Sequence, residues 1–243
     1  MADTIDAAEN KAGENPRQNV TFPSNGNEAH GYLAVPESGS GPGLIVIQEW
    51  WGLVDHIVDV CDRFAKAGFV ALAPDLYGGR TTHDAKEAQQ LMGELPPERA
   101  VRELAGSVDF LLGHEAVTGD TIGAVGFCMG GGFVVLLANQ EGERVGAAVA
   151  FYGVLPETPD DLSGIKTDVL GHFGEADDFI PEQAARDLFA QIRSQAGTNT
   201  DMHLYEGCGH AFFNDENLLG TYDKKAANEA WEATLKFLHA RLG

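Results

Sequence analysis

Gly126-Phe127-Cys128-Met129-Gly130 decides how the chain is read. It follows the short β-branched run Thr121-Ile122-Gly123-Ala124-Val125. It precedes Gly131-Gly132-Phe133-Val134-Val135-Leu136-Leu137-Ala138, which is apolar enough to be a buried helix. Strand, sharp turn and helix in that order predict a nucleophile elbow. In such a turn the small flanking residues let the backbone strain, and the central side chain rises to the carboxyl edge of a sheet. Here a cysteine stands where the G-x-S-x-G form has serine. The free N–H groups and positive dipole end of the following helix favour a thiolate at Cys128 and an oxyanion beside it.

Working outward, the chain alternates strand and helix. Leu44 to Gln48 is a continuous apolar run of the central parallel type and ends in Glu49-Trp50-Trp51-Gly52. Phe69 to Ala73 runs into Pro74-Asp75-Leu76-Tyr77-Gly78-Gly79-Arg80, again at a strand's carboxyl end. Val145 to Phe151, Asp168 to Phe173 and Asp201 to Tyr205 read as further strands. Helical spacing covers Asp55 to Ala67, Thr82 to Gly93, Pro97 to Gly113, Pro181 to Arg193 and Asp223 to Arg241. Cys61 falls on the apolar stripe of the first helix and reads as core. Asn19 to Pro23 and His30 to Pro36 flank Ser24-Asn25-Gly26-Asn27, an Asn-Gly hairpin signal for an antiparallel edge. The sum predicts an α/β fold with a mostly parallel central sheet and helices on both faces.

Composition narrows the function. A formal charge of -21, from 37 acidic and 16 basic residues, disfavours nucleic acid and anionic membranes as partners. No apolar run is long enough to span a bilayer, so a soluble protein is expected. Three cysteines suit a reducing compartment, the cytoplasm, better than a disulfide framework. Residues 1–18 are polar and read as a flexible tail, not a signal peptide, and residues 19–243 read as one domain without linker or repeat. The expectation is a monomer acting on a small molecule, with no metal, nucleotide or flavin.

An elbow nucleophile needs a base and an acid that orients it, and in this type of fold they follow in the order acid, histidine. Asp177 and Asp178 follow the strand ending at Phe173, and His210 follows the strand ending at Tyr205, in Gly207-Cys208-Gly209-His210-Ala211-Phe212. Cys208 has no companion ligands at zinc-site spacing and reads as loop packing.

With these motifs in hand, the chain resembles the dienelactone hydrolase family, carboxymethylenebutenolidases of the α/β-hydrolase fold. The resemblance rests on Gln48 to Gly52, Pro74 to Gly79, Gly126 to Gly131, Phe173 through Asp177 to Pro181, and Gly209 to Phe212. It implies Cys128 as nucleophile, His210 as base and Asp177 as triad acid, with Asp178 in reserve. It also implies that Glu49 pairs with the resting thiol and accepts its proton. The oxyanion hole is expected from the backbone N–H groups of Trp50 and Met129. Family members that hydrolyse dienelactone hold its carboxylate with two arginines. Arg80 stands near the first position, but Asn214 occupies the second and cannot form a charged fork. Tyr77, Trp51 and Phe212 are the expected lining of a substrate pocket. These features imply a cysteine-dependent lactone or activated-ester hydrolase that works through a thioester. The alternative is a thiol redox sensor or small-ligand binder on the same scaffold, with Cys208 the candidate resolving thiol.

Overall fold

The computed structural model describes residues 15–155 and 158–243. Strands β1 (Val20–Ser24) and β2 (Asn27–Ala34) form the expected hairpin. Asn25 and Gly26 both take positive φ, 49° and 75°, as the tight Asn-Gly turn requires. The remaining strands are β3 (Gly41–Ile47), β4 (Val70–Pro74), β5 (Val117–Phe127), β6 (Val145–Phe151), β7 (Val169–Gly174) and β8 (Thr200–Tyr205). They join the hairpin in one sheet of order β1-β2-β4-β3-β5-β6-β7-β8. Only the β1 and β2 pairings are antiparallel; β4, β3, β5, β6, β7 and β8 pair in parallel. The loops after β3, β5, β6, β7 and β8 therefore open along a single sheet edge, where ligands bind in such sheets.

Strand alternation sends apolar side chains into two cores. Ile45, Ile47, Ala124 and Phe173 meet Leu104 and Val108 of α3 (Pro97–Leu112), Val134 of α4 (Met129–Glu141) and Leu188 of α5 (Glu182–Ala196). On the opposite face Leu44, Val46, Val125 and Phe151 meet Ile57, Cys61 and Phe64 of α1 (Asp55–Lys66) and Ala230 and Leu238 of α6 (Lys224–Leu242). Covered on both faces, the central strands are apolar at nearly every position. Among the described residues no helix is long and apolar enough to cross a membrane.

Several details differ from the sequence reading: β2 begins at Asn27 where His30 was expected, and the second helix, α2 (Ala85–Gly93), begins three residues after the expected Thr82. Strand β5 begins four residues before the expected Thr121, at Val117. Its register against β3 jumps between Pro42 and Gly43, so residues 119–121 loop out around Gly119, whose φ is 88°. Of the tail expected over residues 1–18, residues 1–14 lie outside the described residues, and the last four are anchored. Asn15 is buried and donates to the Leu53 carbonyl, while the Gln18 amide donates to Asp75 at 2.8 Å.

Candidate active site

Cys128 sits at φ 54° and ψ -119°, outside the regions that suit an L-residue. Such strain costs on the order of 1–3 kcal/mol and persists only where the surroundings enforce it. Here the Cys128 N–H donates to the Phe151 carbonyl at 3.0 Å and its carbonyl accepts from the Gly131 N–H at 2.9 Å. The two elbow glycines are needed for close approach. A methyl at Gly126 would overlap the Gly130 carbonyl, and one at Gly130 would press on the carbonyls of Ile47 and Gln48. The half-buried Cys128 side chain stands immediately before the first residue of α4, Met129, whose N–H has no acceptor one turn back.

Three strand ends converge on that thiol. His210 Nε2 lies 3.1 Å from Cys128 Sγ, and His210 Nδ1 lies 2.8 Å from Asp177 Oδ2. The other Asp177 oxygen accepts the backbone N–H groups of Phe179 and Ile180, each at 2.8 Å, so the carboxylate is fixed from both sides. Asp178, the adjacent candidate, is exposed to solvent. Burial of His210 works against its imidazolium, but hydrogen bonds to Asp177 and Cys128 and their negative charge outweigh it. Together they push the His210 pKa up to about 10.

Glu49 occupies a second buried pocket beside the elbow and is 1% exposed. The Tyr152 hydroxyl donates to Oε1 at 3.0 Å and the Asn214 amide donates to Oε2 at 2.6 Å. The thiol is thus paired with His210 here, not with Glu49 as the resemblance implied. Asn214, expected toward substrate, is likewise corrected: it is buried and spent on Glu49. Tyr152, at φ 36°, escaped the sequence reading, although it directly follows the strand β6. Burial, with the Glu49 charge, holds its hydroxyl well above the usual tyrosine range, so it remains a neutral donor.

Around the thiol, Trp50 and Met129 are half-buried. The Tyr77 hydroxyl reaches Met129 Sδ at 3.6 Å. Trp51 and Phe212, expected to line a substrate pocket, are instead packed in the core with Val54, Phe127 and Tyr152. Arg80 is paired with Glu94, Nη2 to Oε2 at 2.6 Å. A further aromatic enters from the acid loop: Phe179 is 59% exposed, its ring centroid 5.0 Å from that of His210 and 6.4 Å from that of Trp50. Its place two residues after Asp177 was the only sequence signal, because exposure cannot be read from residue type.

Residues 29–242 match the profile of the "Dienelactone hydrolase family". The chain is 33% identical over 231 residues to an Aquifex aeolicus protein named "Putative carboxymethylenebutenolidase", covering 93% of this chain and 99% of that protein. It is 31% identical over 237 residues to a Bradyrhizobium protein named "Probable 2-oxo-3-(5-oxofuran-2-ylidene)propanoate lactonase", covering 92% of this chain and 94% of the other. A solved structure, a dienelactone hydrolase-like promiscuous phosphotriesterase from metagenomic libraries, superposes with a TM-score of 0.83 at 27% identity, covering 93% and 98% of the two chains. A mostly parallel sheet with an elbow after its central strand, and a match spanning most of the chain, lead to one conclusion: the chain belongs to the dienelactone hydrolase family and is a carboxymethylenebutenolidase-like hydrolase with the α/β-hydrolase fold.

Proposed function

We propose that the protein is a cysteine-dependent hydrolase of lactones or activated esters, working through a thioester on Cys128. The observation that carries this reading is the unbroken chain Asp177 Oδ2, His210 Nδ1, His210 Nε2, Cys128 Sγ, with separations of 2.8 and 3.1 Å. Those are hydrogen-bond distances, within which a proton can pass between sulfur and imidazole.

In the reaction so read, His210 holds the proton released by Cys128, and the sulfur attacks the carbonyl carbon. Negative charge gathers on the carbonyl oxygen, toward the N–H groups of Trp50 and Met129, donors of a kind worth about 3–4 kcal/mol each to the transition state. The imidazolium of His210 then protonates the departing alkoxide or enolate. Water, deprotonated by His210, attacks the thioester carbonyl and releases the acid, and Cys128 leaves as thiolate. Asp177 keeps Nδ1 protonated and stabilises the imidazolium at both stages. Glu49 serves as a positioning residue: its two oxygens tie the ends of β3 and β6 to the loop that follows His210.

All three cysteines are free, which suits action on small molecules in the reducing cytoplasm. The redox alternative lacks a good resolving thiol. Cys208 is buried, and burial with the nearby carboxylates Asp223, Glu229 and Glu175 pushes its pKa up, away from reactivity.

Steady-state hydrolysis of p-nitrophenyl acetate and of an enol lactone tests the reading. Wild type is expected to turn over both, while Cys128→Ala and His210→Gln lose at least about 10³-fold in kcat/KM. Wild-type turnover that survives in Cys128→Ala would refute it.

A further inference from the structure

The surroundings of Cys128 carry an inference about substrate class, which rests on the hydrolase reading above. A free carboxylate on a substrate needs a cation or a set of donors in the site, because desolvating it without them is strongly unfavourable. Neither position expected to supply one does so. Arg80 is engaged by Glu94 at 2.6 Å, and the Asn214 amide is turned inward to Glu49 at 2.6 Å, with the residue 3% exposed. The His210 imidazole, the one cationic group that the structure places against the thiol among the described residues, is already faced by Asp177 at 2.8 Å. Glu175 and Asp178, on the loop that carries Asp177, are exposed, in a protein of formal charge -21. An anionic ligand therefore approaches against the field.

The apolar side of the ledger is better provided. Single exposed hydrophobic residues on a surface need no explanation, but Phe179 is not placed at random. Its 59% exposed ring lies 5.0 Å from the imidazole of His210 and 6.4 Å from the half-buried Trp50. Two aromatic surfaces thus stand together beside the imidazole that contacts the thiol. We propose that the site takes an uncharged ester or lactone whose planar aromatic or conjugated portion lies against Phe179 and Trp50, and that it discriminates against substrates carrying a free carboxylate on that portion.

Alkylation of Cys128 by three iodoacetyl probes tests this without requiring turnover. The probes are iodoacetamide, iodoacetanilide and 4-(iodoacetamido)benzoate; in each the sulfur displaces iodide to form the same S–CH2 bond. Second-order rates are read from the mass of the Cys128 peptide and normalised to the rate with free cysteine. Iodoacetanilide is expected to exceed iodoacetamide by about tenfold, and its carboxylated analogue by about as much at low salt. The second gap should shrink in 1 M NaCl as repulsion is screened. Phe179→Ala should lower the anilide-to-amide ratio at least fivefold. A carboxylated probe that reacts as fast as the anilide, or a ratio that Phe179→Ala does not move, overturns the proposal. The same preparations assayed on phenyl acetate separate the two readings. Ester turnover with reversed probe preference sinks the substrate class alone, whereas the expected preference without any turnover sinks the hydrolase and leaves the binding preference standing.

Discussion

Two carboxylates flank the elbow, equally hidden from water and held in opposite ways. Asp177, with a side chain 1% exposed, faces an imidazole and accepts two backbone N–H groups. Glu49, also 1% exposed, faces a phenol and an amide, both neutral. The first pocket couples its charge to a proton that can move, and the second couples its charge to groups that cannot titrate near neutral pH. The contrast teaches that burial alone assigns no role to an acid: the titratable or neutral character of its partners does. One pocket is thereby suited to chemistry and the other to holding three chain segments in place.

The largest effect should come from the first pocket. Asp177→Asn keeps the shape but reverses the hydrogen bonding at Nδ1, and kcat/KM for p-nitrophenyl acetate is expected to fall about 10³- to 10⁴-fold. Thermal stability should change far less than activity in that variant. A loss under tenfold would erase the distinction between the pockets.

The second pocket should answer in stability before activity. Asn214→Asp puts a carboxylate against buried Glu49, and a destabilisation of about 3 kcal/mol is expected, read as urea midpoint at pH 8 and relieved as the pH falls and one acid is protonated. Glu49→Gln in the same background should restore most of that loss. Tyr152→Phe removes one donor from Glu49 and should cost about 1.5–3 kcal/mol, with a Tm lower by roughly 3–10 °C for a chain of this size. If Tyr152→Phe were instead to abolish turnover at unchanged Tm, the second pocket would belong to the chemistry after all.

A further effect is a pH dependence. His210 has a pKa of about 10 in the folded protein against 6.5 for a free histidine, so the folded state binds the proton more tightly. Its contribution to stability is therefore fully present below about pH 6.5 and is lost progressively as the pH rises through about 10. Cys128→Ala removes one of the two groups that raise this pKa. NMR titration of the His210 ring should then show a midpoint well below that of wild type, and an unchanged midpoint would mean that the thiol does not share the proton.

Much of this was legible because it is local. The β-branched runs and the elbow glycines follow from short-range pattern, and Asp177 and His210 were found because this type of fold carries acid and then histidine in the loops after later strands. The fully apolar β4 and β6 betrayed a sheet covered on both faces. What was not legible depends on distant meetings. Tyr152 and Asn214 reach Glu49 across 103 and 165 residues, and nothing near either residue announces a buried carboxylate. Trp51 and Phe212 were drawn toward the substrate by their place in the loops that follow strands, yet both are buried in the core. Phe179 remained unremarked because a loop phenylalanine reads as buried by default.

The most direct test is to find the acyl group. Wild-type enzyme mixed with p-nitrophenyl acetate and quenched in acid within the first turnovers should carry one acetyl group on the peptide containing Cys128, released by neutral hydroxylamine as a thioester is. An acetyl group on another residue that forms and decays at the turnover rate, or turnover with Cys128 never acylated, would contradict the account.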